Sequence, residues 1–384
     1  MVAFACPGGL ARRSAVLALA IATLACGMPT ADRSAGAPAV SEVAPAPSAP
    51  PPATAQAPAG SAAAGPSLPL EPAAIKFGHV GATPYAAVYV AAEKGYFQER
   101  GISVDFERTQ SSAEAVPLVS AGQVQATGAG YGASFFNAYA RGVDLIMVAP
   151  IVTTPTRGDS PAPVVARRDL VDSGAVRGPG DLRGRKVGVL ATGGYAEYSL
   201  MLALRMGGLT IDDVDLVTLP LPDMPTALAN QNLDAAWTPE PFGTLIEQRD
   251  IGRKIATTHD LGEEQSALVM NTQWMRAHPD AAANFMVGYL KGARDLWGPG
   301  WKDPANVAIM HKYTDVPVDT IMRSPDSYTD PDGKFNVGSI ERLQQYLLER
   351  GYLQYKEPIP ISQLIDDGPA RRAVEQLGPF DRDQ

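Results

Sequence analysis

Val124-Gln-Ala-Thr-Gly-Ala-Gly-Tyr-Gly132 reads as a short strand, Val124 to Thr127, that runs into a glycine-rich turn and then into a helix through Tyr139. The same order returns further along. Lys186-Val-Gly-Val-Leu190 is a strand, Thr192-Gly-Gly194 a turn, and Tyr195 to Met206 a helix. Strands that alternate with helices are the unit of a parallel α/β sheet. The repetition of this unit around both stretches decides the fold.

Before the first stretch, Ile75-Lys-Phe-Gly-His-Val80 is a strand broken by Gly81 and Pro84, and a helix follows from Tyr85 to Lys94. Pro84 suits the first turn of that helix. Ser103 to Glu107 alternates as a second strand, a helix covers Ala113 to Ser120, and Leu145 to Ala149 is a fourth strand. After the second stretch come Val214 to Thr218, a helix near Thr226 to Asn230, and the strand Ala235-Ala-Trp237. Pro163 to Ala166 reads as a crossing strand and Ala267 to Met270 as a return strand. The remainder is mainly helical, with helices near 281–296 and 339–350. This order predicts a two-lobed α/β fold, with parallel-type sheets flanked by helices and a ligand cleft between the lobes. One lobe is expected to hold residues 73–162 plus 266–384 and the other 163–265. The hinge is expected near Pro161–Ala166 and Glu264–Ala267.

The N-terminal residues carry a different signal. Arg12 and Arg13 precede the apolar stretch Ala15 to Ala25, which ends on Thr23-Leu24-Ala25-Cys26. Basic residues, a short apolar run and small residues make a secretory signal. A Cys at the cleavage point makes it a lipoprotein signal, so residues 1–25 are expected to be removed and Cys26 lipidated. The alternative is an ordinary secretory signal with an incidental Cys. The apolar run is much shorter than the roughly 20 residues needed to span a bilayer. Residues 26–72 then form a tether. Eleven of the positions from Gly27 to Pro72 are proline, and none is aromatic. Such a segment buries too little apolar surface to offset its ordering entropy. The expected location is the outer face of the cytoplasmic membrane.

Cys6 is the only other cysteine and lies in the leader, so the mature fold is expected to rest on its core and not on disulfides. The net charge is −9, and loss of the two leader arginines makes it −11. An acidic surface argues against nucleic acid as a partner.

Parallel sheets bind ligands beyond the carboxyl ends of their strands. The candidate ligand contacts are therefore Thr83 and Tyr85, Ser111 and Ser112, and Gly130 and Tyr131 in the first set. In the second set they are Thr192, Gly193, Gly194, Tyr195, Asp223, Trp237 and Glu240. The glycines serve either tight turns or close approach of a ligand to the backbone. The aromatic residues either pack the lobes or stack a ligand. Several such loops in register favour a shared cleft. His79 could reach that cleft or serve the turn; His278 before Pro279 flanks a helix start. The glycines of 128–132 have the wrong spacing for a dinucleotide fingerprint. There is no phosphate loop of the G-x-x-x-x-G-K-[ST] type, no zinc-ligand spacing and no nucleophile elbow. No cofactor or metal is expected, and no enzyme activity.

Four stretches in order resemble a known family. They are Ala92-Glu-Lys-Gly-Tyr-Phe97 with Gly101-Ile-Ser-Val104, Leu118 to Val124, Asp181-Leu-Arg-Gly-Arg-Lys-Val-Gly188, and Ala227 to Ala236 leading to Pro239-Glu-Pro241. They resemble the substrate-binding proteins of bacterial ABC importers of the nitrate, sulfonate, taurine and thiamine-pyrimidine-precursor type. The cysteine-rich motif of the related pyrimidine synthases is absent. The resemblance implies a periplasmic-binding-protein-like fold that closes on one small molecule and docks on permease subunits, acting as a monomer. The aromatic loops and two cleft-side carboxylates lead to a pyrimidine-like or amine-bearing ligand as the first expectation. A sulfonate or taurine, held at the helix start of Thr192–Tyr195, is the second. A receptor-linked sensing module and an extracytoplasmic enzyme of the same fold are the rival functions.

Overall fold

The computed structural model describes residues 68–109, 112–153, 161–257, 262–327 and 329–382, with residues 112 and 113 described in backbone only. The expectations for the leader, Cys26, most of the tether and Ser111 lie outside the described residues.

The strands are β1 (Ala73–His79), β2 (Ile102–Arg108), β3 (Ala126–Gly130), β4 (Ile146–Thr153) and β5 (Val164–Arg167). They continue with β6 (Lys186–Val189), β7 (Asp215–Thr218), β8 (Ala235–Trp237), β9 (Gly252–Ala256) and β10 (Glu264–Met270). The helices of the first half are α1 (Ala86–Glu93), α2 (Ser112–Ser120), α3 (Ala133–Ala140), α4 (Arg168–Asp172), α5 (Tyr195–Met206), α6 (Met224–Ala229) and α7 (Phe242–Gln248). Those of the second half are α8 (Thr272–Ala277), α9 (Pro279–Asp295), α10 (Pro304–Thr314), α11 (Val318–Arg323), α12 (Val337–Glu349), α13 (Ile361–Leu364) and α14 (Gly368–Leu377).

Two sheets result, ordered β2-β1-β3-β10-β4 and β7-β6-β8-β5-β9, one for each lobe. Both belong to one compact unit. They are mixed, where the sequence predicted parallel-type sheets. β1 runs parallel to β2 and β3, and β6 parallel to β7 and β8. β10 is antiparallel to β3 and β4, and β5 is antiparallel to β8 and β9. The chain crosses between sheets twice, from β4 to β5 and from β9 to β10. A chain that leaves one sheet at its carboxyl edge and crosses directly enters the next sheet at the facing edge. The first strand after each crossing therefore runs against its neighbours.

β3 extends to Gly130, beyond the predicted Thr127, because Gly128, Ala129 and Gly130 pair with Leu268, Ala267 and Ser266 of β10. Gly128 is required there: a Cβ on it would lie 2.6 Å from the Tyr85 ring.

One core cluster joins Phe77, Tyr89, Phe97 and Phe285 under α1 and α9. The other draws on both sheets, through Met147 and Val269 on one side and Val187 and Trp237 on the other. Ile340, Leu343 and Leu347 of α12 are fully buried in that second cluster. At about 1.5–3 kcal/mol for each buried side chain, they bind α12 firmly where the lobes meet.

The tether ends sooner than Pro72. Leu68 is buried, and its N–H donates to Oε1 of Gln376 at 2.8 Å. The Pro69 carbonyl accepts from Asn284 Nδ2 at 2.8 Å. Glu71 lies 2.7 Å from Nδ1 of His278 and accepts from the Ala281 N–H at 3.0 Å. These residues cap and cover α9, an interaction that proline content alone does not reveal. His278 stands at the start of α9, as expected.

Candidate functional site

The carboxyl edges of the two sheets meet at the turns after β3 and β6. Helices α3 and α5 begin just beyond, at Ala133 and Tyr195. The first N–H groups of a helix have no partner within it. Here each lobe supplies a partner for the other. The Ala133 N–H donates to the Gly193 carbonyl at 2.7 Å, and the Tyr195 N–H donates to the Tyr131 carbonyl at 2.9 Å. Gly132 and Gly194 form an antiparallel bridge between them. A Cβ on Gly132 would lie 3.1 Å from the Gly193 carbonyl oxygen, a contact that would push the two turns slightly apart. Gly193 has φ +69°, a backbone that side chains disfavour. Gly130 and Thr192 are exposed beside this seam.

Two buried carboxylates hold the seam from behind, and sequence reasoning missed both as site residues. Glu264 accepts from the Tyr131 hydroxyl at 2.9 Å and from the Asn336 N–H. Burial pushes its carboxyl up to about 7, against the lowering effect of those two donors; nearby Asp330 and Glu263 add to the rise. Glu197, fully buried, accepts from the Gly193 N–H at 2.8 Å, the Tyr346 hydroxyl at 2.5 Å and the Tyr352 hydroxyl at 2.8 Å. Glu197 is the third residue of its helix, after Gly194, which is the position of a capping carboxylate. That local signal could have pointed to it. Glu264 has no comparable signal, because its partners lie far along the chain.

The other expected residues divide. Tyr195 and Trp237 stand together, ring centroids 6.4 Å apart, and the buried Trp237 Nε1 has no hydrogen-bond partner among the described residues. Thr83 and Glu240 come from different lobes and line one small cavity of about 10 Å³ with Trp301, Ser324 and Ser327. Glu240 is buried, 3.0 Å from Lys254 Nζ, and accepts from the Thr244 N–H at 2.9 Å. Tyr85 is packed within its lobe: its ring lies 6.0 Å from that of Phe77, and its hydroxyl donates to the Gly128 carbonyl at 3.3 Å. Asp223 is exposed on a turn after the edge strand β7. Among the described residues, no hydrogen bond or ion pair joins its side chain to the other candidates. Ser112 lies at the start of α2. His79 serves the turn, with Nδ1 2.9 Å from the Tyr89 hydroxyl and accepting from the Gly81 N–H at 3.2 Å. Among the described residues, no group of three or more His, Cys, Asp or Glu is placed to hold a metal ion.

Two sheets with facing carboxyl edges, crossed twice by the chain and joined at glycine turns, define the two-lobed fold of periplasmic binding proteins. The alkanesulfonate-binding protein SsuA from Xanthomonas axonopodis pv. citri, solved with MOPS bound, matches with a TM-score of 0.61 at 18% identity. That match covers 77% of this chain and 98% of SsuA. The desulfurization enzyme DSZB matches with a TM-score of 0.57 at 17% identity, covering 79% of this chain and 99% of DSZB. In sequence, YtlA of Bacillus subtilis (strain 168), provisionally named a binding protein, is 26% identical over 309 residues, 76% of this chain and 87% of YtlA. The chain belongs to the NMT1-like family, whose profile matches residues 68–310.

Proposed function

We propose that this chain is an extracytoplasmic solute-binding protein, anchored by a lipid at Cys26, that captures a small organic molecule and delivers it to an ABC importer. The observation that carries this is the seam at Tyr131–Gly132 and Gly193–Tyr195, where the strand ends of both lobes meet. A ligand between such loops touches both lobes and so favours the closed state. The proposed lobes are residues 73–162 plus 266–384 and residues 163–265, with the hinge at the two crossings. Membership of the NMT1-like family and the likeness to SsuA support this reading.

The ligand we propose is a sulfonate or taurine, with a pyrimidine-like molecule second. The amine-bearing expectation rested on two carboxylates. Lys254 neutralises Glu240, and Asp223 is exposed on its own turn. The Trp237 Nε1, in contrast, is a buried donor with no acceptor among the described residues. An unpaired buried donor costs about 1–3 kcal/mol, which an acceptor on the ligand would offset.

The fold also hosts DSZB, so chemistry is the rival. Native mass spectrometry of the chain with a bound ligand separates the two. Release of the unchanged ligand on denaturation supports binding; steady conversion to a product overturns it. Genes for a permease and an ATPase beside this one would favour import over sensing.

A further inference from the structure

Tyr352 follows α12 and is held by both lobes. Its carbonyl accepts from Asn137 Nδ2 of α3 at 3.0 Å, on the side of the first sheet. Asn137 Oδ1 also accepts from the Gln354 N–H at 2.8 Å, so α3 grips this backbone at two points. The Tyr352 hydroxyl donates to Glu197 of α5 at 2.8 Å, on the side of the second sheet. The same carboxylate oxygen, Oε2, accepts from the Gly193 N–H. The Tyr352 ring also lies beneath Gly193, 3.2 Å from where a Cβ would stand. Arg350 strengthens this attachment: it lies 3.6 Å from Glu197 and pairs with Asp212 at 2.9 Å.

We propose that Tyr352 is the positioning residue that latches the cleft shut, tying α3 of one lobe through Glu197 to the Gly193 turn of the other. Tyr352 lies in the same proposed lobe as Asn137, so the Asn137 bond fixes its backbone, and the Glu197 bond is the one that crosses between the lobes, beside that of the Tyr346 hydroxyl. Loss of the Tyr352 hydroxyl therefore weakens the latch directly, and loss of Asn137 weakens it through Tyr352. This rests on the two-lobed binding reading and adds a residue outside the strand-end loops to the closing machinery.

The seam supplies its own reporters. The Ala133 and Tyr195 amides are hydrogen-bonded across the lobes, so their hydrogen exchange measures opening of the cleft. In the ligand-free full-length chain, Tyr352→Phe should speed exchange at these two amides by about tenfold or more and leave amides within β1 and β6 unchanged. Asn137→Ala, which frees the Tyr352 backbone, should speed the same two amides to a smaller extent. The double variant should exceed Tyr352→Phe by little, because Asn137 acts through the Tyr352 hydroxyl. Unchanged exchange at Ala133 and Tyr195 in Tyr352→Phe overturns the latch. So does an equal rise in β1 and β6, or a double variant equal to the product of the singles. No ligand is used, so a failed ligand screen would overturn the binding reading and leave this result standing.

Discussion

The Tyr195 N–H donates to the Tyr131 carbonyl at 2.9 Å, and these two residues lie on the turns that follow strands of different sheets, β6 and β3. Each begins or precedes a helix whose free N–H groups need acceptors. The seam therefore satisfies two helix starts at once, and what disturbs it should act on the proposed closure before it acts on folding.

Gly132→Ala tests that separation. The backbone at Gly132 is extended, φ −177°, so alanine adds no backbone strain. Its Cβ would press on the Gly193 carbonyl at 3.1 Å and Gly194 at 3.2 Å. The melting temperature should fall by no more than about 2–4 °C, the shift for about 1 kcal/mol in a chain of this size. Exchange at the Ala133 and Tyr195 amides should rise by about tenfold. A large loss of stability without faster exchange at the seam would contradict the account.

Lys254 is the counter-charge of a buried acid. Side-chain exposure is 2% for Glu240 and 21% for Lys254. Lys254→Met should destabilise the chain by about 3–5 kcal/mol, because it leaves an unpaired buried carboxylate. Adding Glu240→Gln should recover much of that loss. Urea unfolding of the three variants checks this; equal stability of Lys254→Met and the parent would show that the pair matters little.

Glu264 predicts a pH dependence with a definite sign. Its carboxyl is raised to about 7 in the fold from an ordinary value of 4.5. The folded chain then keeps a proton that the unfolded chain has lost. The stabilisation is complete below pH 4.5 and disappears as pH rises through about 7, on the order of 3 kcal/mol in total. Glu264→Gln should remove that contribution. The difference in unfolding free energy between parent and variant should therefore change between pH 4.5 and 8. A constant difference would mean that Glu264 does not titrate in this window.

Cys26→Ala should release the protein from membranes, since one residue carries the proposed anchor. Fractionation of cells expressing the parent and the variant shows this directly. A variant that still sediments with membranes would place the anchor elsewhere.

Much of the fold was legible because its strands are short, apolar and followed by glycine. The reading of Ala235–Trp237 matches β8, and Lys186–Leu190 matches β6 within a residue. The strand β9, Gly-Arg-Lys-Ile-Ala, was not legible: two of its five residues are basic, and it forms an edge where polar residues are tolerated. The mixed sense of the sheets follows from the crossings and not from any local pattern. At the site, the glycine turns, Tyr195 and Trp237 were readable as residues near strand ends; that the two rings stand together was not. The carboxylates behind them were not. Glu197 meets Tyr346 across 149 residues and Glu264 meets Tyr131 across 133, and no periodicity reports such contacts. Tyr85 looked like a ligand contact because it follows a strand, but the bare Cα of Gly128 draws its ring into the lobe.

A thermal-shift screen of the full-length protein tests the central claim, that the cleft closes on a small ligand. The panel is an alkanesulfonate, taurine, nitrate and an aminopyrimidine. A ligand at 100 times its Kd stabilises by about 2.7 kcal/mol, which is about 5–10 °C in a chain of this size. A rise of that order is expected with the sulfonate or taurine, and a much smaller rise in Gly132→Ala. A rise with the aminopyrimidine alone would reverse the proposed order of ligands. No rise with any of the four at millimolar concentration would contradict the binding function.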